Sequence, residues 1–328
     1  MRAPAFWHRP PGVASALLLP LGWLYAQATR RRVARPPGFR PPCPVISVGN
    51  LNAGGTGKTP TTIALAERLM ARGRSPAVIT RGYGGRLSGP VRVDPARHDA
   101  GAVGDEPLLL AAFCPTYVAR DRARGARLAV SDGADVLLLD DAHQNPGVAR
   151  DVSIVTVDAV AGFGNGRVIP AGPLREPVAA GLARADLMLT IGPPGAQRRF
   201  DETCPAAARG FPRLRATLEP LPMGLPWAGR RVLAFAGIGH PEKFFATLRG
   251  EGAEVIRAEA LADHQPLTQA LMTRLEAEAK ASVAQLVTTE KDFVRLPESF
   301  RRKVLSVPVR LRPETWQPLD AIFDNLGL

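Results

Sequence analysis

The sequence predicts a doubly wound, mostly parallel α/β sheet followed by a second, smaller α/β unit, on three observations. First, the short apolar runs VISVGN, AVIT, TYVA, DVLLLDD, SIVTVD and LMLTIG recur between residues 45 and 192 with helical stretches between them. That is the rhythm of parallel strands joined by crossover helices. Second, the first run leads into the glycine-rich turn NLNAGGTGKTP (50–60) and then into TTIALAERLMARG, which has helical periodicity up to Gly73. Third, a further set of runs near VLAFAGI, EVIRAEA, AQLVTTE and VLSVPVRL lies beyond a Pro/Gly-rich stretch at 211–230. Such a stretch reads as an isolated strand followed by a linker.

With 328 residues, two domains are the expectation, because one domain typically takes ~100–200. The Pro-rich joint RPPGFRPPCP (35–44) and the linker divide the chain into residues 1–40, 41–215 and 216–328. Hydrophobic residues at 45% and charged residues at 22% are ordinary globular values and argue against wholesale disorder. Cys43, Cys114 and Cys204 are widely spaced with no C-x-x-C pair, so neither a zinc site nor a disulfide framework is expected, and a reduced cytosolic compartment fits.

Strand, glycine-rich turn and helix in that order is the setting of a P-loop, and the large unit is therefore expected to be P-loop NTPase-like. Asn52 stands where G-x-x-x-x-G-K-[ST] begins with glycine, and the nucleotide-binding set is Asn52, Ala53, Gly54, Gly55, Thr56, Gly57, Lys58 and Thr59. Backbone N–H groups of 54–57 and the helix N-terminus would cradle phosphates. Lys58 would reach the β- and γ-phosphates of ATP, and the Thr59 hydroxyl would ligate Mg²⁺. Asn is tolerable at 52 because it visits left-handed backbone more often than most residues. Pro60 in the first helical turn costs little.

DVLLLDDAHQ ends a strand in Asp140 and Asp141, as a Walker B segment does, and a carboxylate there holds Mg²⁺. In VGDEPLLLA, Asp105 and Glu106 open a helix; adjacent acids there also simply complement the helix dipole. Beside a P-loop, such a carboxylate suits the role of orienting an attacking hydroxyl and accepting its proton. Glu106 joins Thr59, Asp140 and Asp141 in the expected Mg²⁺ set. ALADHQPLT places Asp263 and His264 between a strand and a helix, where a lone His is either structural or the partner of a catalytic acid.

The net charge of +12 points either to an anionic partner or to a composition bias, since only five of the 42 basic residues are lysines. Aromatics at 6%, without a motif interleaved with the basic residues, argue against nucleic acid. VASALLLPLGWLYAQA (13–28) is apolar and is followed by TRRRVARPPGFR. The run falls short of the ~20 residues a spanning helix needs and contains Pro20, so it is expected to lie on a bilayer rather than cross it. Trp7, Trp23 and Tyr25 would sit at headgroup level and Arg30, Arg31, Arg32, Arg35 and Arg40 would meet anionic lipid. An ordinary packed helix and a signal peptide are the alternatives, the latter disfavoured by arginines that follow the run and the lack of a clear cleavage site.

Taken together, GNLNAGGTGKTP, RGYGG (81–85), VGDEP (103–107), DDAHQ, GFGNGRVIPAGPLREP (162–177), AGIGHPEKFF (236–245), DHQP and TTEKD (288–292) resemble the tetraacyldisaccharide 4′-kinases of lipid A synthesis over nearly the whole chain. The resemblance implies transfer of the ATP γ-phosphate, with Mg²⁺, to the 4′-hydroxyl of an acylated glucosamine disaccharide 1-phosphate, yielding lipid IVA. It also implies a peripheral protein on the cytoplasmic face of the inner membrane, Asp105 as catalytic base, and His264 as its partner delivered from the smaller domain as that domain closes. Arg81, Arg120, Asn165 and Arg175 are the candidates for gripping the lipid disaccharide monophosphate. Where the family reads Asp-Asp-Gly-Phe-Gln-His, this chain has Ala142, His143 and Asn145 in place of glycine, aromatic and histidine, which leaves the local backbone and packing there open. A kinase of a soluble sugar or nucleoside is the nearer alternative, disfavoured by the apolar N-terminus. A membrane-associated P-loop ATPase switch is the further one, disfavoured by Ala53 where such proteins carry a signature lysine.

Overall fold

The computed structural model describes residues 4–263 and 265–328. The larger of two sheets contains β1 (Val45–Asn50), β2 (Pro76–Thr80), β3 (Val91–Arg92), β4 (Thr116–Val118), β5 (Val136–Asp140), β6 (Val152–Asp158), β7 (Leu187–Ile191) and β8 (Arg213–Pro220). The smaller contains β9 (Arg231–Ala236), β10 (Glu254–Ala260), β11 (Gln285–Thr289) and β12 (Val304–Val307). The last strand, β13 (Val309–Pro313), returns to the large sheet, whose order is β13-β8-β7-β6-β1-β5-β2-β4-β3.

Every pairing from β8 to β4 is parallel, and only the edge strands β13 and β3 run antiparallel. β1, β2, β5, β6 and β7 are buried at every residue, as parallel strands covered on both faces must be. Successive side chains point to opposite faces. Ile46 and Val48 therefore join Ile63, Leu65 and Leu69 of helix Lys58–Ala71, while Val45, Leu137 and Leu139 pack against Ala123 and Ala126 of helix Arg122–Ser131. The C-terminal helix Gln317–Asn325 adds Leu319 and Phe323 to the first cluster, and Arg68 and Arg72 clamp its Asp320 and Asp324. The four strands of the small sheet are all parallel, in the order β10-β9-β11-β12, with helices Pro241–Gly250 and Gln269–Ala281 packed against β9.

Two details differ from the sequence reading. β8 is not isolated: it pairs with β7 on one side and β13 on the other, and it runs across residues 215 and 216. VLSVPVRL is not one strand but two in different sheets, divided at Pro308, which has no N–H to donate and whose carbonyl accepts from Leu221 N.

The N-terminal segment forms helices Val13–Leu17 and Leu19–Val33, broken just before Pro20. Among the described residues no helix is long and apolar enough to cross a membrane. The segment docks on loop 162–177 through polar and small groups. Trp7 Nε1 donates to Pro170 O (3.0 Å), Asn165 N to Trp7 O (2.8 Å) and Arg167 Nη1 to Ser15 Oγ (2.9 Å), while a Cβ on Gly22 would stand 2.9 Å from Val168 O. Trp7 thus anchors the segment to the protein rather than standing free at its surface. The apolar side chains are left outward, with Val13 79%, Leu17 76% and Trp23 62% exposed.

Candidate active site

The P-loop leaves the carboxyl end of β1, at the centre of the sheet, where open α/β sheets bind ligands. Gly54 and Gly57 take φ of +130° and +86°, and a side chain at Gly57 would run into Ile191 Cδ1, so glycine is required there twice over. Gly57 caps helix Lys58–Ala71 without a side-chain acceptor, which leaves its first N–H groups for an anion. Asn50 Nδ2 braces the loop from beneath, donating to Gly54 O (3.1 Å) and Thr56 Oγ1 (2.9 Å), and Thr56 Oγ1 in turn meets Thr156 Oγ1 of β6 (2.9 Å).

Asn52 does not adopt left-handed backbone; among the described residues only Asp141 and Val283 do so without being glycine. It serves instead through its side chain: Nδ2 donates to Gly162 O (3.0 Å), and its backbone bridges Leu174. Ala53 N donates to Pro173 O and Arg175 N to Leu51 O (both 2.7 Å), so the entrance of the P-loop is stitched to loop 162–177.

Asp140 and Asp141 end β5 beside this loop. Asp140 Oδ2 accepts from Thr80 Oγ1 (3.3 Å), whereas its Oδ1 is buried with no hydrogen-bond partner. Burial first, then the charges of Glu106 and Asp141, push the Asp140 carboxyl up to about 7 against the pull of Lys58 and Arg122. Burial also works against the Asp141 charge, but Lys58 (3.7 Å), Arg175 (3.0 Å) and Arg122 outweigh it and hold that carboxyl below its usual value. Asp141 has φ +48°, a conformation that strains a non-glycine residue and is held by the two carbonyl bonds of Arg122 Nη2, to Asp140 O (3.1 Å) and Asp141 O (2.8 Å).

The partnerless Asp140 oxygen and the crowded negative charge around it suit a divalent cation. Among the described residues the acids do not form a group of three able to hold a metal by themselves. Mg²⁺ does not need one, since it keeps waters and shares ligands with substrate phosphates.

The altered residues after β5 settle into the interior. Ala142 is fully buried. His143 is buried too, with Nδ1 at 2.9 Å from Ser153 Oγ and Nε2 at 3.0 Å from Gly181 O. Burial, with Arg150 and Arg184 nearby, lowers its pKa to about 4 and keeps it neutral. It packs against Gly49, where a Cβ would stand 2.5 Å from its own. Asn145 folds into a local turn, accepting from Gly147 N (2.8 Å). Gln144 Nε2 links Asn50 O (2.9 Å) to Glu176 (3.0 Å), itself clamped by Arg184.

Asp105 is buried at the start of helix Asp105–Ala111, its Oδ1 accepting from Glu106 N (2.9 Å). Gly104, at φ +96°, makes this turn possible, because a Cβ there would stand 2.6 Å from Tyr83 O. Glu106 Oε1 meets Lys291 Nζ (3.2 Å) from the smaller unit. Burial opposes the Lys291 charge, and the carboxylates of Glu106, Asp105 and Asp263 more than restore it. The smaller unit also reaches over on the far side of the P-loop: Lys243 pairs with Asp158 at the end of β6, and a Cβ on Gly239 would stand 3.9 Å from Gly55 N. His264 lies outside the described residues.

Of the expected substrate groups, Arg175 is at the centre of the site. Arg81 and Arg120 are exposed just beyond β2 and β4, with Arg81 close enough for its charge to act on Arg122. Asn165 is engaged within its own loop, with Nδ2 donating to Ala171 O (2.9 Å) and Oδ1 accepting from Arg167 N (3.1 Å). Sequence reasoning missed Arg122, Asp158, Lys243 and Lys291. Arg122 and Asp158 carry no local signature of a role, whereas Lys243 and Lys291 sat inside the AGIGHPEKFF and TTEKD strings without one.

Residues 14–327 match the family described as "LpxK: Tetraacyldisaccharide-1-P 4'-kinase". The chain is 63% identical to the tetraacyldisaccharide 4'-kinase of Dinoroseobacter shibae, over 99% of this chain and 98% of that one. It is 60% identical to that of Jannaschia sp., over 99% of each. Its fold matches that of Aquifex aeolicus LpxK crystallised in complex with ATP, with a TM-score of 0.77 at 24% identity, over 96% of this chain and 99% of that one. The chain belongs to the tetraacyldisaccharide-1-P 4'-kinase family.

Proposed function

We propose that this chain transfers the γ-phosphate of ATP to the 4′-hydroxyl of an acylated glucosamine disaccharide 1-phosphate, giving lipid IVA in lipid A biosynthesis, and that the residues gathered at the carboxyl end of the large sheet do the work. The observation that carries the assignment of roles is the convergence of Lys58, Asp141 and Arg175 with the Asp105–Glu106 turn around one P-loop. The amides of Gly54, Gly55, Thr56 and Gly57 bind the donor phosphates, and Lys58 leaves Asp141 to meet the transferred group. Mg²⁺, held by Thr59, Asp140, Asp141 and Glu106, would neutralise charge on the phosphate oxygens.

Asp105 orients the acceptor hydroxyl and takes its proton, with His264 as its partner. Burial of Asp105 excludes water that would otherwise compete as acceptor. Arg175 at the centre of the site, with Arg81 and Arg120 on its rim, would offer guanidinium groups to pair with the phosphate of the acceptor. Asn165 acts by holding loop 162–177 in shape.

The outward apolar face of 13–25 and the exposed Arg30, Arg31, Arg32 and Arg35 support peripheral docking on an anionic bilayer, at the cytoplasmic face of the inner membrane. Mass spectrometry of lipid extract incubated with enzyme and ATP tests the reaction. A glycolipid monophosphate should gain one phosphate with the wild-type chain and not with Lys58→Ala, and an unmodified glycolipid with the wild-type chain would reject the assignment.

A further inference from the structure

In a chain whose basic residues are overwhelmingly arginine, five positions are lysine, and three of them, Lys58, Lys243 and Lys291, stand at the mouth of the P-loop. Lys291 is the one that touches the Asp105–Glu106 turn. Its ammonium lies 3.2 Å from Glu106 Oε1 and 3.9 Å from Asp263 Oδ1, and the charge of Asp105 acts on it as well. Its neighbours in TTEKD are all committed to holding it there. Thr289 caps helix Glu290–Phe293, accepting from Asp292 N (3.1 Å). Glu290 binds Val309 N (3.2 Å) and Arg310 (2.8 Å), while Asp292, fully buried, accepts from Gly237 N (3.0 Å) and pairs with Arg295.

Arg310 continues the brace into the large unit, reaching Glu67 on the P-loop helix (3.7 Å) and stacking 4.7 Å over Phe113, just beyond helix Asp105–Ala111. Docking of the two units is therefore already secured by Glu290 and Arg310. Lys291 is thus not the only contact that holds the halves together.

We propose that Lys291 is a positioning residue for phosphoryl transfer, bridging Glu106 in the large unit to Asp263 in the small one and so fixing the Asp105–Glu106 turn against the segment that carries His264. The proposal rests on Asp105 being the base, and acts through it: without the ammonium, two adjacent carboxylates repel and the turn loses its register with the smaller unit. Misplacement of about 1 Å in such a group costs about 100-fold in rate.

The test compares Lys291→Met, Lys291→Arg and Asp105→Ala in the full chain, with ATP and lipid acceptor, reading kcat, KM for ATP and Tm. Lys291→Met, assayed well below its Tm, should lose about 100-fold in kcat with KM for ATP within about threefold, and Lys291→Arg should recover at least about a tenth of the lost rate. An inactive Asp105→Ala beside a Lys291→Met that keeps kcat within about threefold would overturn the proposal alone. So would a Lys291→Met loss that disappears when the assay is run well below the variant's Tm. An active Asp105→Ala would instead remove the base assignment, and the proposal with it.

Discussion

The donor end of the site is built from backbone and near neighbours, whereas the rim that faces it is built from side chains drawn from distant parts of the chain. Asn50, Gly54, Thr56, Gly57 and Lys58 all lie within one strand, turn and helix. The Glu106–Lys291 bridge spans 185 residues, and Asn165 meets Phe6 across 159. A local frame can be specified by glycine and a few hydrogen bonds, while a remote one depends on the whole fold being correct. Donor-side substitutions should therefore change chemistry and leave docking alone, and remote substitutions should divide according to which partner they lose.

The largest effect on the donor side is expected from Lys58→Ala. It should slow turnover about 10³-fold and weaken ATP about 10- to 100-fold, since it removes a charge-assisted contact to phosphate. Stopped-flow binding with steady-state kinetics checks both, and a normal ATP affinity would break the assignment. Next, replacing Leu17, Trp23 and Leu24 together with serine should reduce partition onto anionic vesicles about tenfold or more, because each exposed apolar side chain contributes about 1.5–3 kcal/mol when buried. Sedimentation with vesicles measures this, and ATP binding should not change. Equal loss of ATP binding would mean that the N-terminal segment supports the donor site rather than the acceptor's membrane.

Asp140 gives a smaller effect of opposite sign. Its carboxyl is raised from 3.8 to about 7 in the folded protein, so the native state holds that proton more tightly than the unfolded chain. Ionising it costs stability as pH rises through that window, and the penalty is complete above it. Asp140→Asn should therefore raise the Tm of the ligand-free protein by roughly 2–4 °C at pH 8, and by progressively less as pH falls toward the ordinary carboxylate value, while abolishing Mg²⁺-dependent turnover. A lower Tm at pH 8 would show that the carboxylate stabilises the fold. The smallest expected effect is Arg68→Ala, which removes a surface pair to Asp320 and should cost about 0.5–1 kcal/mol by urea titration, with kinetics untouched.

The contrast between the two ends also accounts for what was legible in the sequence. VISVGN, DVLLLDD and SIVTVD were readable as strands because buried parallel strands are continuous apolar runs, and the P-loop because its glycines are fixed by backbone geometry. The same reading misjudged Asn52, whose work is a side-chain bond to Gly162, and read VLSVPVRL as one strand, because pairing across a sheet leaves no trace in a local pattern. Arg122 and Lys243 were invisible for that reason: each acts on residues that only the folded chain brings near. Asp105 was legible as an acid opening a helix, but its burial and its neighbourhood with Lys291 were not.

The central claim is that Asp105 does chemistry while the P-loop does binding. Asp105→Ala, assayed with saturating ATP and lipid acceptor beside equilibrium binding of ATP, tests it most directly. The account predicts turnover down by about 10³- to 10⁴-fold with ATP affinity unchanged. Turnover within tenfold of the wild type, or a parallel loss of ATP binding, would contradict it.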